Sequence, residues 1–355
     1  MKVHILTTTN FISYFFLYPL LVNKNRLKEL GVSIKYFEFI KDSIYDCDAI
    51  LLDSKYFSFL WDDREYVLSI LDKIKDKCKQ VIWLDSSAST GTTHFQVLPF
   101  VHKYWKKQVL KNRNLYEKQF YGARIYTDYY KKQFNLEDQR VGSFDSIDRK
   151  YLNKLTISWN LGFGSYSADR RVSNILGLIP WCLKEKLYYK YRLKAVSHDS
   201  KRRLSVCFRG SNRYTTKALS FQRMKIIEKL HNRGVDTEPV SYRAYINELR
   251  NSKIAVSPFG AGEMCFRDFE IILSGSLLLK PSMDHLMTWP DFFIDNENYV
   301  SVKWDFSDFD DKIESLLGNP ERIRQISLQA QKRYIYWFSS EGQEKFCERF
   351  MKLIC

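Results

Sequence analysis

The chain has 355 residues, enough for two domains of ordinary size, each with its own core. With 45% hydrophobic and 16% aromatic residues it is globular, and disorder is excluded. A formal net charge of +15 and a pI of about 9.3 point to an anionic partner: nucleic acid, a lipid surface or a phosphorylated substrate.

Seven cysteines are scattered without a C-x-x-C pair, so neither a zinc site nor a disulfide framework is expected, and free thiols fit a reducing cytoplasm. KVHIL (2–6) reads as a strand that runs into a helix cap at Thr7-Thr8-Thr9-Asn10. A helix then extends to about Leu30 and stops at Gly31. Its apolar run FISYFFLYPLLV is too short to span a bilayer, is interrupted by Pro19, and lacks the basic flank of a signal peptide. A cytoplasmic protein is expected, resting if at all on the inner face of the membrane.

VSIKYFEF (32–39), AILLD (49–53) and QVIWLD (80–85) are the next strands, with the helical pattern REYVLSILDKI between the last two. Strand and helix in this alternation predict a parallel sheet. LTISWNLGFG (155–164) adds a strand and a glycine turn. From Lys184 the sequence becomes basic, aromatic and poor in core residues, which divides the chain into a first domain over 1–184, a linker over 185–203 and a second domain over 204–355. The second alternation runs LSVCFRG (204–210), a helix from Ala218 to Asn232, strand VDTEPV (235–240), helix YRAYINELRNS and strand KIAVSPF (253–259). Helix FRDFEIILSG, strand SLLLKP and a helical tail from Phe306 complete it. The fold class is α/β: two facing Rossmann-like domains, with ligands bound beyond the carboxyl ends of their strands.

The segment SPFGAGEMCFRDFEIILSGSLLLKP (257–281) concentrates the chemistry. A glycine turn after a buried strand brings backbone N–H groups and a helix N-terminus to the sheet edge, where they favour phosphate. Arg267 on the first helical turn suits a diphosphate, and Glu270 one turn in suits the two hydroxyls of a ribose. FGAGEMCFRDFEIILSGSLLLKP resembles the donor half of GT-B glycosyltransferases, close to bacterial enzymes of capsule and lipopolysaccharide synthesis. The resemblance implies a GT-B fold with a closing C-terminal helix and transfer from a nucleotide-sugar donor to a glycan or lipid-linked glycan. It implies that Glu270 holds the ribose and that Glu263, after Gly262, contacts the donor sugar or serves catalysis. It also casts Arg209-Gly210-Ser211-Asn212-Arg213 as a phosphate loop in which Arg209 or Arg213 neutralises the diphosphate.

Beyond the following strand, Lys280, Asp284 and His285 are further donor-side candidates. On the acceptor side Asp85 or His94, in WLDSSASTGTTHF (83–95), is the candidate general base if the reaction inverts the anomeric centre; a strand-end Asp closing an Asx-turn is the structural alternative. Asn10 is a comparable cleft-edge residue. Two D-x-D strings, Asp46-Cys47-Asp48 and Asp308-Phe309-Asp310, are read as helix or strand caps, so no metal and no cofactor beyond the nucleotide-sugar co-substrate are expected. KYWKKQVLKNRNLYEK (103–118) has the composition of a segment lying on anionic lipid. The same composition suits single-stranded nucleic acid, but no RRM, KH, helix-turn-helix or zinc signature accompanies it, and no nucleic-acid partner is expected. Three functions stay open: glycosyl transfer, transfer of a Kdo or phosphopolyol group from a cytidine nucleotide or nucleotide-sugar epimerisation, and non-catalytic nucleic-acid binding.

Overall fold

Five apolar runs become parallel strands in the first half of the chain: β1 (Lys2–Leu6), β2 (Ser33–Phe37), β3 (Ala49–Asp53), β4 (Val81–Asp85) and β5 (Lys103–Lys106). They come from a computed structural model that describes residues 1–138, 141–142, 144–164, 175–187, 195–196, 201–210 and 216–355. With the later strand β7 (Leu155–Ile157) they form one sheet in the order β2-β1-β3-β4-β5-β7. Every residue of β3 and β4 is buried, as expected of interior parallel strands covered on both faces. The second sheet is also parallel, ordered β12-β10-β9-β8, from β8 (Leu204–Cys207), β9 (Ser252–Val256), β10 (Leu277–Pro281) and β12 (Val300–Val302).

The helix expected from Phe11 to Leu30 is two helices, α1 (Phe11–Val22) and α2 (Lys24–Glu29), parted at Asn23. Gly31, at φ +86, turns the chain out of α2. α3 (Arg64–Lys77) is the predicted REYVLSILDKI helix, capped by Asp63 through Tyr66 N. VDTEPV is not a strand. Pro239 has no N–H to donate, Val235 N is already bonded back to Leu230 O, and among the described residues a single backbone bond ties the segment to β8's end, from Gly210 N to Thr237 O at 3.3 Å.

KYWKKQVL departs furthest from expectation. β5 lies between β4 and β7, so Lys106 is fully buried and Lys107 is 2% exposed, while Lys103 donates to Leu353 O at 2.7 Å. These lysines do not present a membrane-binding face. β6 (Gln108–Leu110) then pairs antiparallel with β11 (Leu286–Thr288), joining the two halves by a two-stranded ribbon.

Helices α4 (Ile125–Phe134) and α5 (Trp181–Leu187) complete the first half. α6 (Lys217–His231), α7 (Tyr242–Asn251), α8 (Phe266–Ser274), α9 (Phe309–Leu317), α10 (Pro320–Tyr336) and α11 (Ser340–Ile354) follow in the second. α11 crosses back onto the first sheet: Phe350 meets Trp105 and Phe346 meets Trp159, and Arg349 donates to Ile157 O at 2.6 Å. One hydrophobic core therefore runs through both halves, from Ile5, Leu51 and Trp105 to Phe269, Leu278 and Tyr334. Separate cores back the outer face of each sheet. Among the described residues no helix is long and apolar enough to cross a membrane.

Candidate active site

Both sheets point the carboxyl ends of their strands at a cleft of about 700 Å³ between the halves. Lys55, Ser86 and Lys107, which follow β3, β4 and β5, line one wall. Arg209 and Gly210 after β8, and residues from Ser257 to Cys265 after β9, line the other. Arg267 and Glu270, on successive turns of α8, complete that wall.

α8 forms because Asp268 turns back to accept from the backbone N of its cap residue Cys265 at 2.9 Å, and it stops at Gly275, which takes the left-handed φ of 72° that glycine tolerates. Asp268 is fully buried and also pairs with Lys280 at 3.1 Å. Lys280 is therefore a structural counter-ion beneath the site, with no exposed surface, and the expected nucleotide contact is corrected. Arg267 donates to Arg209 O at 2.8 Å and stacks 5.0 Å over the Phe208 ring, which holds its guanidinium at the cleft edge. Glu270 is 9% exposed and accepts from the Tyr242 hydroxyl at 3.3 Å. Next to it, Pro239, Val240 and Tyr242 make an apolar ledge.

Arg209 lines the cleft, but its guanidinium is occupied by Glu248 at 2.7 Å and Asp236 at 2.6 Å. These partners leave no free cation at Arg209. Ser211, Asn212 and Arg213 lie outside the described residues.

Glu263 is not a cleft residue, although its neighbours Gly262 and Met264 are. It is fully buried between the halves and accepts from Ser89 Oγ at 3.1 Å, Thr90 Oγ1 at 2.6 Å, Thr90 N at 3.1 Å and Gln108 Nε2 at 2.8 Å. His285 Nε2 stands 3.6 Å away. Burial opposes the charge, yet His285 and the Thr90 donors outweigh it and bring the carboxyl to about 2. A carboxylate spent on four donors contacts no sugar; Glu263 is an interdomain clasp. Gly262 is glycine because a Cβ there would run into the Ala88 carbonyl across the interface.

The acceptor-side candidates are also drawn inward. Asp85 is fully buried, accepts from Tyr104 Oη at 2.6 Å and pairs with Lys106 at 2.8 Å. Burial works against its charge, but Lys106 and its other neighbours hold it well below the usual carboxylate range. It also closes an Asx-turn through Ser87 N at 2.8 Å. His94 stacks on Trp61 and is 3.9 Å from Asp85. Neither lines the cleft, so the general-base assignment is corrected for both. Asn10 caps α1 through Ile12 N at 2.7 Å, and it is Ile12 that reaches the cleft. Asp284 is exposed and bonded to Ser282. His285 supports Glu263 from between Phe259 and Trp304.

Asp46 and Asp48 bond Lys2 at the amino edge of the sheet, away from the cleft. Asp308 accepts from Lys303 N, and Asp310 pairs with Lys229 and Arg233. Among the described residues no group of three metal-ligating side chains gathers.

Burial pushes His94 down to about 4, against the pull of Asp85. Its folded pKa lies below the ordinary value of 6.5, so the unfolded chain binds the extra proton and stability falls as pH drops from about 6.5 through 4. The His94 share is on the order of 3 kcal/mol. Melting curves between those pH values should show a shallower acid loss for His94→Gln than for the parent; parallel curves would remove His94 as the cause.

Lys55, Arg223, Tyr242 and Tyr245 also line the cleft and were not singled out from the sequence, and Lys107, read there as part of a lipid-facing segment, lines it too. Lys55 and Lys107 were legible in principle, because they stand two residues and one residue past the carboxyl ends of β3 and β5.

Two facing parallel α/β sheets, a cleft at their carboxyl ends and a last helix crossing back to the first sheet settle the fold. The architecture is GT-B. No protein-family model and no curated protein matches the chain. Among solved structures, the chain is similar to HepE of Anabaena in complex with UDP-glucose, at 8% identity and a TM-score of 0.45 over 99% of each chain. It is similar to a glycosyltransferase from Rickettsia africae at 11% identity and a TM-score of 0.44, over 99% of this chain and 97% of that one. Sucrose-phosphate synthase from Thermosynechococcus elongatus gives 9% identity and a TM-score of 0.45, over 100% and 98%.

Proposed function

We propose that the protein is a glycosyltransferase that binds a nucleotide-activated sugar in the GT-B cleft and moves the sugar to a bacterial surface glycan, of capsule or lipopolysaccharide type. The observation that carries the donor reading is the placement of Glu270 and Arg267 one turn apart on α8, both facing the cleft where two sheets end. Glu270 accepts both ribose hydroxyls, and the ledge of Pro239, Val240 and Tyr242 packs on the base. Arg267 and Arg223, with the N-terminus of α8, hold the diphosphate.

In the transfer the bond between the anomeric carbon and the diphosphate oxygen breaks, and its electron pair leaves with the diphosphate. An acceptor hydroxyl forms the new bond at that carbon, and its proton passes to the departing diphosphate. Positive groups fixed around the leaving oxygens stabilise the charge that develops there, which is the largest contribution a preorganised site makes. The surface-glycan acceptor is supported by the net charge of +15, suited to acidic envelope polymers, and by the resemblance in residues 257–281.

A thermal-shift screen of UDP, GDP, CDP and CMP against a single-stranded oligonucleotide tests the reading. One nucleoside diphosphate raising the melting temperature supports it. A response to CMP alone favours the cytidine-nucleotide transferase, and a response to the oligonucleotide alone overturns catalysis. Because arginines and a helix terminus offset the diphosphate charge, activity is expected to persist in EDTA. Loss on chelation, restored by Mg²⁺ or Mn²⁺, would show that a metal carries that charge instead.

A further inference from the structure

The wall opposite α8 carries positive charge that the donor does not require. Lys107 follows β5, lines the cleft and is 2% exposed, and among the described residues its ammonium has no ion pair or hydrogen bond. The nearest carboxylates are already committed. Asp85 is taken by Lys106 and Tyr104, and Glu263 by Ser89, Thr90 and Gln108. Lys55, half-buried two residues past β3, faces the same space. A lysine of this kind ordinarily buries its stem and lets its head reach bulk water. At 2% exposure Lys107 keeps little such contact, and only through the cleft that it lines; a nearly buried ammonium without a paired counter-ion is costly, and an anionic ligand in the cleft offsets that cost.

We propose that Lys107, assisted by Lys55, binds an anionic group of the acceptor, a phosphate or a carboxylate carried on the glycan. This rests on the donor reading, in which Arg267 and Arg223 on the other wall take the diphosphate. The acceptor approaches from the first domain with its acidic group on Lys107, which sets its reacting hydroxyl toward the donor.

The groups that face Lys107 are Lys106 and Lys55, which oppose its charge, and Asp85 and Glu263, which favour it. Burial first, then Lys106, brings its pKa down to about 7. Asp85 and Glu263 are ionised throughout the neutral range, and Lys107 changes charge there. It is protonated below that value, and anion binding should strengthen as pH falls.

Calorimetric titration of the full-length protein with sulfate, whose charge is constant in this range, tests the proposal. The donor side is first filled with the nucleoside diphosphate that stabilises best. Sulfate affinity should rise about tenfold from about pH 8 to about pH 6, and should fall by about tenfold or more in Lys107→Gln, with a smaller loss in Lys55→Gln. Melting curves confirm that each variant is folded, and the Lys55 variant carries the test if the Lys107 variant is not. Equal sulfate binding by parent and variants overturns the proposal. So does competition between the diphosphate and the Lys107-dependent sulfate, which would assign these lysines to the donor. If no nucleotide binds but sulfate binding still depends on Lys107, the anion subsite stands and the donor reading falls. Glucose 6-phosphate and glucuronate, compared with glucose, identify the acidic group; glucose binding as well as both would overturn the subsite.

Discussion

Glu263→Ala is expected to destabilise the protein by about 3–5 kcal/mol, the largest effect of any single substitution considered. The carboxylate is fully buried at the junction of the two halves, and its removal strands the Ser89 and Thr90 hydroxyls and the Thr90 N–H, and costs the Gln108 amide one of two acceptors, the Ala88 carbonyl at 2.8 Å remaining. Buried donors left unpaired carry their full desolvation cost, about 1–3 kcal/mol each before relaxation. Glu263→Gln keeps the volume but presents an amide NH₂ to donors, so it should recover only part of the loss. The clasp is one of several ties between the halves; the β6–β11 ribbon and the α11 crossing are others. The loss should therefore appear in chemical denaturation without release of one half from the other. An unfolding free energy within about 1 kcal/mol of the parent would mean the junction does not depend on Glu263.

Glu270→Ala should have the opposite profile: small for stability and large for binding. Its side chain accepts a long hydrogen bond of 3.3 Å from Tyr242 Oη and acts on the Tyr245 hydroxyl as well, so the folding cost is about 1–2 kcal/mol. Two charge-assisted bonds to ribose hydroxyls are worth about 1.5–3 kcal/mol each, so nucleotide affinity should fall by about a hundredfold or more. Glu270→Asp shortens the reach and should fall between the two. Titration of the three proteins with the same nucleoside diphosphate checks the order. Unchanged affinity in Glu270→Ala would move the nucleotide away from α8.

The fold was largely legible because its strands announce themselves. AILLD and VIWLD are apolar runs closed by an acid, and each is a buried strand ending where read. The helix FRDFEIILSG and its glycine stop were equally plain. What failed depended on distant partners. KYWKK reads as a charged surface, but its position between β4 and β7 buries it, and Asp85 supplies a counter-ion that no local pattern reveals. The β6–β11 pairing joins segments far apart in sequence and too short to register as strands.

The site divides along the same line. Arg267, Glu270, Gly210 and Gly262, named from a glycine turn at a strand end, a helix start and the resemblance, line the cleft. Glu263, Lys280, Asp85 and His94 were misplaced because a charged residue near a sheet edge can face inward or outward. Only the partner across the interface decides which. Lys107 illustrates the converse, a residue assigned to the surface that lines the cleft.

A crystal structure of the protein with the best-binding nucleoside diphosphate tests the central claim most directly. The predicted complex has both ribose hydroxyls on Glu270, the base on Pro239, Val240 and Tyr242, and the diphosphate between Arg267, Arg223 and the N-terminus of α8. Nucleotide bound outside the cleft, or bound within it with the ribose turned away from Glu270, would contradict the account.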